Sequence, residues 1–253
     1  DSSALLTGLS VLSEKKCFKL IACHVNHQIR LDSSEVDQLA AKTIADSIGV
    51  EFLATSANVP KVSKEQKISI ETAGRTLRYE ILSQLSKEYD AYGVVTGHTK
   101  DDQAETVLLH AGRGTGLKGL VGMEYRSTLR LPKSDTKLTI LRPLLDISRS
   151  TIINYCKQRN IQPVIDSSNS DRQYTRNKIR LDALPALEAA TPGAKNALAR
   201  LAENVSDDLE VVDWIVRREL QQAAYSDGKY SRSKINRLPI YLIRRILMLG
   251  YRN

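Results

Sequence analysis

Short apolar runs alternate with longer amphipathic segments along the first 160 residues of the chain. Residues 18–25 have the near-continuous apolar character of a strand that is buried on both faces. Residues 34–48 repeat apolar positions with the period of a helix that buries one side. Strands predicted in this way at 18–25, 51–54 and 91–96 alternate with helices predicted at 2–12, 34–48, 69–89 and 101–110. The alternation predicts an α/β fold, a parallel sheet with helices on both faces.

The pattern changes in the second half of the chain. We expect a polar loop at 56–67, a glycine-punctuated loop at 112–122, a hairpin formed by 125–131 and 137–141, and a capped helix at 148–159. Thr191-Pro-Gly is a boundary signal, because threonine caps helices well and proline suits the first helical position. Helices are predicted beyond it at about 193–225 and 233–249. We therefore predict one α/β domain over residues 1–190 and a smaller helical region over residues 191–253.

Composition narrows the function classes. The formal net charge is +8 and the pI about 9.3. This balance suits a polyanionic partner such as RNA, although many protein surfaces are basic without binding one. Cys17, Cys23 and Cys156 form no C-x-x-C pair, so neither a disulfide framework nor a zinc site is indicated, and a cytoplasmic location is expected. No apolar run reaches the roughly 18 residues of a membrane span, so no membrane partner is expected.

The most informative segment is Thr96-Gly-His-Thr-Lys-Asp-Asp-Gln-Ala-Glu-Thr, which leaves a predicted strand and enters a predicted helix. A helical course would place His98, Asp102 and Glu105 on one face, since they are spaced i, i+4 and i+7. Open α/β folds bind ligands at this edge of the sheet. The carboxylates could hold Mg²⁺ and a cationic group there. Alternatively, they are acidic first-turn residues that stabilise the helix dipole.

Polar residues in two other segments also suit a nucleotide. His24 and Asn26 end the first predicted strand and would emerge at the ligand-binding edge. Arg75 and Arg78 are three positions apart in a predicted helix, a spacing suited to gripping phosphate oxygens. Taken alone, these residues can equally be ordinary strand-end polar groups and a solvated helix face.

Three arginine-rich segments remain ambiguous on sequence alone. Arg113 lies between glycines, where a backbone can approach a ligand and a guanidinium can hold a carboxylate, or where a surface loop is simply mobile. A polar stretch with little apolar content contains Asn169, Arg176, Asn177 and Arg180, and by itself reads as a solvated loop. The late arginines Arg217, Arg218, Arg244 and Arg245 alternate with apolar residues at helical spacing, which suits either RNA backbone or an ordinary amphipathic surface.

The motif His-x-x-Asp-Asp-x-x-Glu-Thr, followed by His110-Ala-Gly-Arg-Gly, resembles the tRNA(Ile)-lysidine synthetases, a branch of the N-type ATP pyrophosphatases in the PP-loop superfamily. Four further matches occur in the order of that family: His24-Val-Asn-His, Glu71-Thr-Ala-Gly-Arg-x-x-Arg-Tyr, Arg142-Pro-Leu-Leu, and Asp166-Ser-Ser-Asn with Tyr174-Thr-Arg-Asn-x-x-Arg. The resemblance covers about residues 1–187. The family opens with Ser-Gly-Gly-x-Asp-Ser, of which Asp1-Ser2 matches only the end. We therefore expect the first strand and the glycine-rich loop to lie upstream of Asp1.

The resemblance implies a Rossmann-like fold and a two-step reaction. ATP adenylates O2 of the wobble cytidine of tRNA(Ile) and releases pyrophosphate, and the ε-amine of L-lysine then attacks C2 and displaces AMP. ATP and Mg²⁺ are the implied cofactors, and the partners are L-lysine and a tRNA(Ile) with C at the wobble position.

The family also implies roles for residues of this chain. The implied catalytic residues are Asp1, His98, Asp102 and Glu105, and the implied Mg²⁺ ligands are Asp1 and Asp101. The implied ATP site consists of Asp1, Ser2, His24, Asn26, Arg75 and Arg78. The implied lysine site consists of Asp102, Glu105, Arg113 and Arg176. The implied tRNA contacts are Asn169, Arg176, Asn177, Arg180, Arg217, Arg218, Arg244 and Arg245.

Two other functions stay open. Another PP-loop enzyme, such as a tRNA 2-thiolation enzyme, would share the fold, but such enzymes usually carry a catalytic C-x-x-C pair that this sequence lacks. The chain could also be a catalytically incomplete tRNA-binding fragment. Pyrophosphate release from ATP in the presence of lysine and tRNA would distinguish a ligase from a binding protein.

Overall fold

The computed structural model describes residues 1–29, 31–131, 137–162, 171–225 and 229–250. The strands are β1 (Ile21–Asn26), β2 (Glu51–Ser56), β3 (Val94–Val95), β4 (Arg126–Arg130) and β5 (Lys137–Leu141). The helices of the first half are α1 (Ser2–Lys16), α2 (Leu31–Ser47), α3 (Val59–Gln66), α4 (Ile70–Glu88), α5 (Lys100–Gly112) and α6 (Leu117–Leu120). The later helices are α7 (Arg149–Gln158), α8 (Thr175–Lys178), a π-helical turn (Ile179–Ala183), α9 (Leu184–Ala190), α10 (Ala194–Ala223), α11 (Arg232–Ile235) and α12 (Ile240–Gly250).

The described strands form a two-stranded sheet and a three-stranded sheet, and each contains one parallel pair of strands. β1 pairs with β2 in parallel, from Ile21 opposite Glu51 to Asn26 opposite Ser56. β3 pairs in parallel with β5, and β4 runs antiparallel along the other edge of β5. The predicted α/β fold with helix-flanked parallel strands is confirmed, as is the predicted hairpin. β3 is shorter than predicted, since Tyr92 just before it is 73% exposed instead of lying in the sheet.

The segment predicted to be a polar loop at 56–67 contains α3, so that prediction was wrong. Asn58 caps the helix, its Oδ1 accepting a hydrogen bond from the Lys61 backbone N–H at 2.9 Å, and a proline stands in the first turn. Val59 is fully buried and packs with Ala57 and Ala73 of α4 in one of the cores. Val62 of the same helix also packs against this core, and these two valines are the apolar residues with which α3 contacts it.

The helical region after residue 190 differs from the prediction in its last part. α10 is a single 30-residue helix, as the pattern indicated, and it packs against α5 and α6. The helix predicted at 233–249 is instead two helices, because Pro239 interrupts the run between α11 and α12. Within the described residues, no helix has both the length and the apolar character needed to cross a bilayer.

A buried glutamine of α5 fixes the glycine-rich loop that follows the helix. Gln103 Nε2 donates to the carbonyl oxygens of Val121 and Met123, both at 3.0 Å, and its Oε1 accepts from the Met123 N–H at 2.8 Å. Gly122 lies between these residues with φ of +66°, and a Cβ there would lie 2.7 Å from Gln103 Oε1. The loop therefore needs glycine at this position for both its backbone angle and its space.

We expect Gly122→Ala to destabilise the protein more than Gly114→Ala, a matched control. Gly114 also has a positive φ, +73°, but no atom lies within 4 Å of its added Cβ. The control should cost only backbone strain, about 1 kcal/mol. Gly122→Ala should cost about 1–3 kcal/mol more, because the Gln103 amide must move and lose buried hydrogen bonds. Urea unfolding of both variants measures the difference. Equal costs would show that the glutamine contacts contribute nothing.

Candidate functional site

A tight turn carries the chain from β3 into α5. The Thr96 N–H donates to the Leu141 carbonyl at 2.9 Å, which continues the pairing of β3 with β5. Gly97 follows, where a Cβ would lie 3.1 Å from the Ser2 nitrogen, so the start of α1 lies directly against the turn. The absence of a side chain at Gly97 thus allows Asp1 and Ser2 to approach the first turn of α5.

Asp102 stabilises the start of α5 as well as the site. Thr99 is the N-cap, and its hydroxyl accepts the Asp102 N–H at 3.3 Å. In return, Asp102 Oδ2 accepts from the Thr99 N–H and hydroxyl, both at 2.9 Å. This reciprocal capping box satisfies the otherwise unpaired N–H groups of the helix start. One carboxylate oxygen is therefore committed to the fold, and Oδ1 is the oxygen that faces other groups.

Two arginines cover the predicted acidic pair. We call Asp102, Glu105, Arg176 and Arg180 the acid–arginine cluster. Asp102 Oδ1 accepts from the Nη2 atoms of Arg176 and Arg180 at 2.9 and 3.0 Å. Glu105 accepts from Arg176 Nε at 3.1 Å and from Arg180 Nε at 2.5 Å and Nη2 at 3.1 Å. The Glu105 side chain is 2% exposed, so the arginines compensate a carboxylate that is almost wholly removed from water.

The positions of the four residues along the chain explain how the cluster forms. The carboxylates are three residues apart on α5, and the arginines are four apart on α8 and the π-helical turn, so each pair lies on one face of its element. The π-helical turn begins directly after α8, between the two arginines. The sequence analysis placed Arg176 with the two acids in the implied lysine site and Arg180 among the implied tRNA contacts, and it missed the mutual pairing of acids and arginines, although the matching spacings were a usable signal.

Charge and burial set the protonation of Asp102. Burial by itself would raise the pKa of Asp102, but Arg176, the two Thr99 hydrogen bonds and Arg180 outweigh it and hold that pKa below its usual value. The carboxylate is therefore ionised at neutral pH.

His98 is neutral in this environment. Its Nδ1 lies 2.8 Å from the Thr96 hydroxyl. Burial lowers the pKa of His98 to about 4, and the charges of Arg176, Arg142 and Arg75 act in the same direction while Asp102 opposes them. An uncharged imidazole beside the acid–arginine cluster can orient a ligand or accept a proton, but it adds no positive charge at neutral pH.

Asp101 is used differently from the prediction. Its Oδ2 accepts from the Arg149 backbone N–H at the start of α7 at 2.8 Å, and its Oδ1 lies 3.4 Å from Lys195 Nζ on α10. Among the described residues there is no group of three or more His, Cys, Asp or Glu side chains placed to hold a metal. Both its oxygens have protein partners, so Asp101 would have to share them to hold Mg²⁺; within the described residues it joins three helices.

The predicted nucleotide residues lie around the ends of β1 and α4. His24 and Asn26 are in the last three positions of β1, and Asn26 Oδ1 accepts the Gln28 N–H at 2.9 Å. Arg78 bonds His27 Nε2 through Nε at 3.3 Å and Nη2 at 3.0 Å, which ties α4 to this edge. The Arg75 guanidinium lies 5.1 Å from the centre of the Tyr79 ring, a cation–π contact.

Several predicted residues are not brought to the acidic pair. Arg113 ends α5 and is exposed, eight residues or about 12 Å along the helix from Glu105. Asn177 Nδ2 donates to the Asp171 carbonyl at 2.8 Å, within its own segment. Asn169 lies outside the described residues. With the glycine loop in this conformation, Arg113 therefore lies apart from Asp102 and Glu105, the residues with which it was predicted to bind lysine.

The late arginines divide into two kinds. Arg217 and Arg244 are exposed, as a nucleic-acid contact requires. Arg245 is 16% exposed and forms an ion pair with Asp213 of α10, so it contributes to packing between α12 and α10 instead of an open surface. Arg218 Nη2 donates to Glu219 at 2.8 Å. The predicted RNA contact by Arg245 does not agree with this placement, since its charge is already paired.

A model described as the PP-loop domain matches residues 1–187 of the chain. The chain is 35% identical to the tRNA(Ile)-lysidine synthase of Clostridioides difficile (strain 630), over 84% of this chain and 44% of that protein. It is 37% identical to that of Clostridium perfringens (strain 13 / Type A), over 90% and 47% respectively. For the synthase of Parabacteroides distasonis the identity is 32%, over 94% and 51%. The chain spans about half the length of the curated relatives it matches.

A solved structure gives the same fold. The U34-tRNA thiolase NcsA from Methanococcus maripaludis is similar with a TM-score of 0.62 and 20% sequence identity, over 80% of this chain and 69% of that one. At this identity the likeness bears on the fold alone. The resemblance that the sequence motifs indicated is confirmed by the relatives, and the predicted fold is confirmed by both comparisons.

We expect Arg176→Gln to destabilise the protein by about 2 kcal/mol at pH 7, because it leaves two buried carboxylates undercompensated. The deficit should shrink below about pH 4. A depressed pKa stabilises the fold above the unfolded value near 3.9, and this stabilisation is lost as pH falls through the folded pKa. Without Arg176 the pKa of Asp102 rises, so acid costs the variant less.

Urea unfolding at pH 7 and at about pH 2.5, within the range where the depressed carboxylate titrates, measures both effects. Arg172→Gln is the control, since Arg172 pairs with Asp182 in the same segment but the two side chains are 66% and 50% exposed. It should cost less than about 0.5 kcal/mol at either pH. A deficit for Arg176→Gln that is the same at both pH values would contradict the electrostatic explanation.

Proposed function

Since the chain belongs to the PP-loop domain family, we propose that it ligates L-lysine to C2 of the wobble cytidine of tRNA(Ile), with cleavage of ATP to AMP and pyrophosphate. The observation that carries the proposal is the placement of His98, Asp102 and Glu105 directly after β3, with the start of α1 against the same turn. The relatives named tRNA(Ile)-lysidine synthase support it.

The proposed chemistry has two displacements. The cytidine O2 attacks the α-phosphorus of ATP, and pyrophosphate leaves with the electrons of the broken P–O bond. The lysine ε-nitrogen then attacks C2, and the O2 atom departs with AMP. The amine must lose two protons overall, because it enters as an ammonium with an ordinary pKa near 10.4 and ends as a secondary amine. The site must therefore bind a cation and then take protons from it.

The acid–arginine cluster supplies the carboxylates for this task. Asp102 Oδ1 and both oxygens of Glu105 already accept guanidinium hydrogen bonds, so a lysine ammonium must share these oxygens or replace an arginine at them. Replacement exchanges one cation for another and keeps the buried charge compensated. We propose Asp102 and Glu105 as the ammonium site and His98 as a neutral neighbour that orients the amine or accepts its proton. Arg176 remains as a partner of the lysine carboxylate or of tRNA.

The proposed nucleotide site lies between the start of α1 and the ends of β1 and α4. A helix N-terminus favours anions because its free N–H groups and its dipole point toward them. Ser2 opens α1, His24 and Asn26 lie at the end of β1, and Arg75 and Arg78 lie in the first half of α4; we assign these residues to the nucleotide. Mg²⁺ bound with ATP supplies charge neutralisation of the phosphates and is usually held by one or two carboxylates. Asp1 remains the proposed ligand from this chain, since Asp101 has other partners.

A tRNA 2-thiolation activity is the second candidate, because enzymes of that kind share the PP-loop domain. The described cysteines argue against it. Cys17 follows α1 and is exposed, Cys23 lies within β1, and Cys156 is buried in α7. A thiol relay needs cysteines that meet at the nucleotide edge, whereas the acidic pair suits an amine substrate. The ligase is therefore the better candidate.

We expect the protein to transfer radiolabelled lysine to a tRNA(Ile) transcript with C at the wobble position, in a reaction that needs ATP. A transcript that differs only by U at that position should not be labelled, because its C4 oxygen alters the groups that the ligase recognises and activates. Pyrophosphate release measured in parallel follows the first step. Equal labelling of both transcripts, or pyrophosphate release without lysine transfer to either, would refute the proposed activity.

Glu105→Gln should lower lysine transfer by a factor of about 10 or more, equivalent to about 1.4 kcal/mol, or raise the KM for lysine. Formation of the adenylated tRNA without lysine should fall less, because Asp1 and the α1 terminus serve the nucleotide. Asp182→Asn, an exposed carboxylate paired with Arg172, is the control and should leave both steps unchanged. Equal losses in both steps would make Glu105 a residue of the adenylation step instead of the lysine site.

A further inference from the structure

The chain has a single tryptophan, and it lies exposed on α10. Trp214 is 60% exposed, a large value for the residue type with the greatest apolar surface. The Arg218 guanidinium, one turn further along, lies 5.0 Å from the centre of its ring, and Glu219 holds that guanidinium at 2.8 Å. The tryptophan ring therefore has one cation placed against it and most of its surface open to water.

The exposed ring is not part of the packing face of α10. The three buried positions of α10 nearest to Trp214 along the helix are Val205, Val216 and Ala223. At 100° per residue, Trp214 lies about 180° to 200° from each of them around the helix axis. Its neighbour on the same face, Val211, is 58% exposed. Packing within the described chain thus does not account for a tryptophan at this position.

Positive charge and further aromatic rings follow Trp214 along the chain. Over residues 211–225 and 229–244 the exposed cationic side chains are Arg217, Arg218, Lys229, Arg232, Lys234, Arg237 and Arg244. The acids described there, Asp213 and Glu219, are both paired with arginines, and the exposed acids Asp207, Asp208 and Glu210 lie on the preceding turns of α10. Tyr225 and Tyr230 are 62% and 51% exposed where a backbone bridge links the end of α10 to the start of α11. Rings interleaved with exposed cations on this C-terminal side of Trp214 are complementary to a polyanion that carries flat apolar bases.

We propose that Trp214 and Arg218 form a stacking platform for an unpaired nucleobase of RNA. The base stacks on the open surface of the Trp214 ring, and the neighbouring cations hold the flanking phosphates. Every base has a π-face, so the platform reads no sequence and instead distinguishes single-stranded from base-paired RNA. This site rests on the proposed tRNA substrate, and it adds recognition of an unpaired nucleotide at a distance from the acid–arginine cluster.

The fluorescence of the only tryptophan reports directly on the platform. For the fluorescence measurement, the 253-residue chain is titrated with an unlabelled single-stranded oligoadenylate, with a blunt RNA duplex of equal charge, and with inorganic polyphosphate. Binding of each is followed separately, by anisotropy of labelled RNA and by competition for polyphosphate. We expect the oligoadenylate to quench Trp214 and the other two to leave its emission within a few per cent of the free value.

Variants separate stacking from charge. Trp214→Leu keeps an apolar side chain and should weaken oligoadenylate binding about tenfold, whereas Trp214→Phe should retain most of the affinity. Tyr92→Leu is the matched control, because Tyr92 is 73% exposed and stacks with Arg126 at 5.4 Å before β3, outside the helical region. It should bind as the unchanged protein does. Circular dichroism confirms that each variant is folded.

Four results would overturn the platform. They are quenching by polyphosphate as strong as by oligoadenylate, bound oligoadenylate without quenching, no RNA binding, and quenching that depends on protein concentration without RNA. The last would assign the ring to contact between two copies of the chain. Lysine transfer is measured on the same preparation. Transfer with no Trp214 response refutes the platform alone, and a Trp214 response without transfer refutes the ligase alone.

Discussion

The buried pairing of Asp102 and Glu105 with Arg176 and Arg180 is the interaction on which the arrangement of the site depends. It joins α5, at the edge of the sheet, to a segment more than 70 residues further along the chain. Carboxylates this deeply buried would be costly without a counter-charge, and the arginines would be costly without the carboxylates. Each pair therefore fixes the position of the other. The geometry is specific because each guanidinium reaches both acids, which a single ion pair would not require.

Helix α5 transmits this order to its surroundings through Asp102 itself and through neighbouring residues that are not on the site face. Thr99 and Asp102 close the start of the helix, Asp101 reaches α7 and α10, and Gln103 fixes the loop that follows. Within this turn, Asp102 and Glu105 face the arginines of the cluster, whereas Asp101 and Gln103 hold neighbouring elements in place. A substitution at Asp101 or Gln103 would displace the acidic pair without touching it. Function and fold are not separable in this turn, and loss of activity alone cannot assign a residue there to catalysis.

The cluster would also constrain how the proposed lysine substrate enters. A site built from two free carboxylates would attract lysine strongly but would carry uncompensated buried charge in its absence. Here the charges already balance, and the affinity for an added ammonium depends on how readily a guanidinium moves aside. Arg176 and Arg180 lie on a four-residue helix and a π-helical turn, which are short elements without a core of their own. The neutral His98 adds no further repulsion to an incoming cation.

Local sequence determined a large part of this protein. Apolar periodicity placed the strands and long helices, because each element buries its own face, and the motif at residues 96–106 pointed to the candidate site. Sequence patterning missed α3, an eight-residue helix with two valines among polar residues, and it extended one helix through Pro239. Tertiary structure alone decided that the acids face Arg176 and Arg180, that Asp101 and Arg245 are used within the fold, and that Trp214 is exposed. These outcomes depend on which charges meet across the fold, and the sequence of one segment does not contain the position of its distant partner.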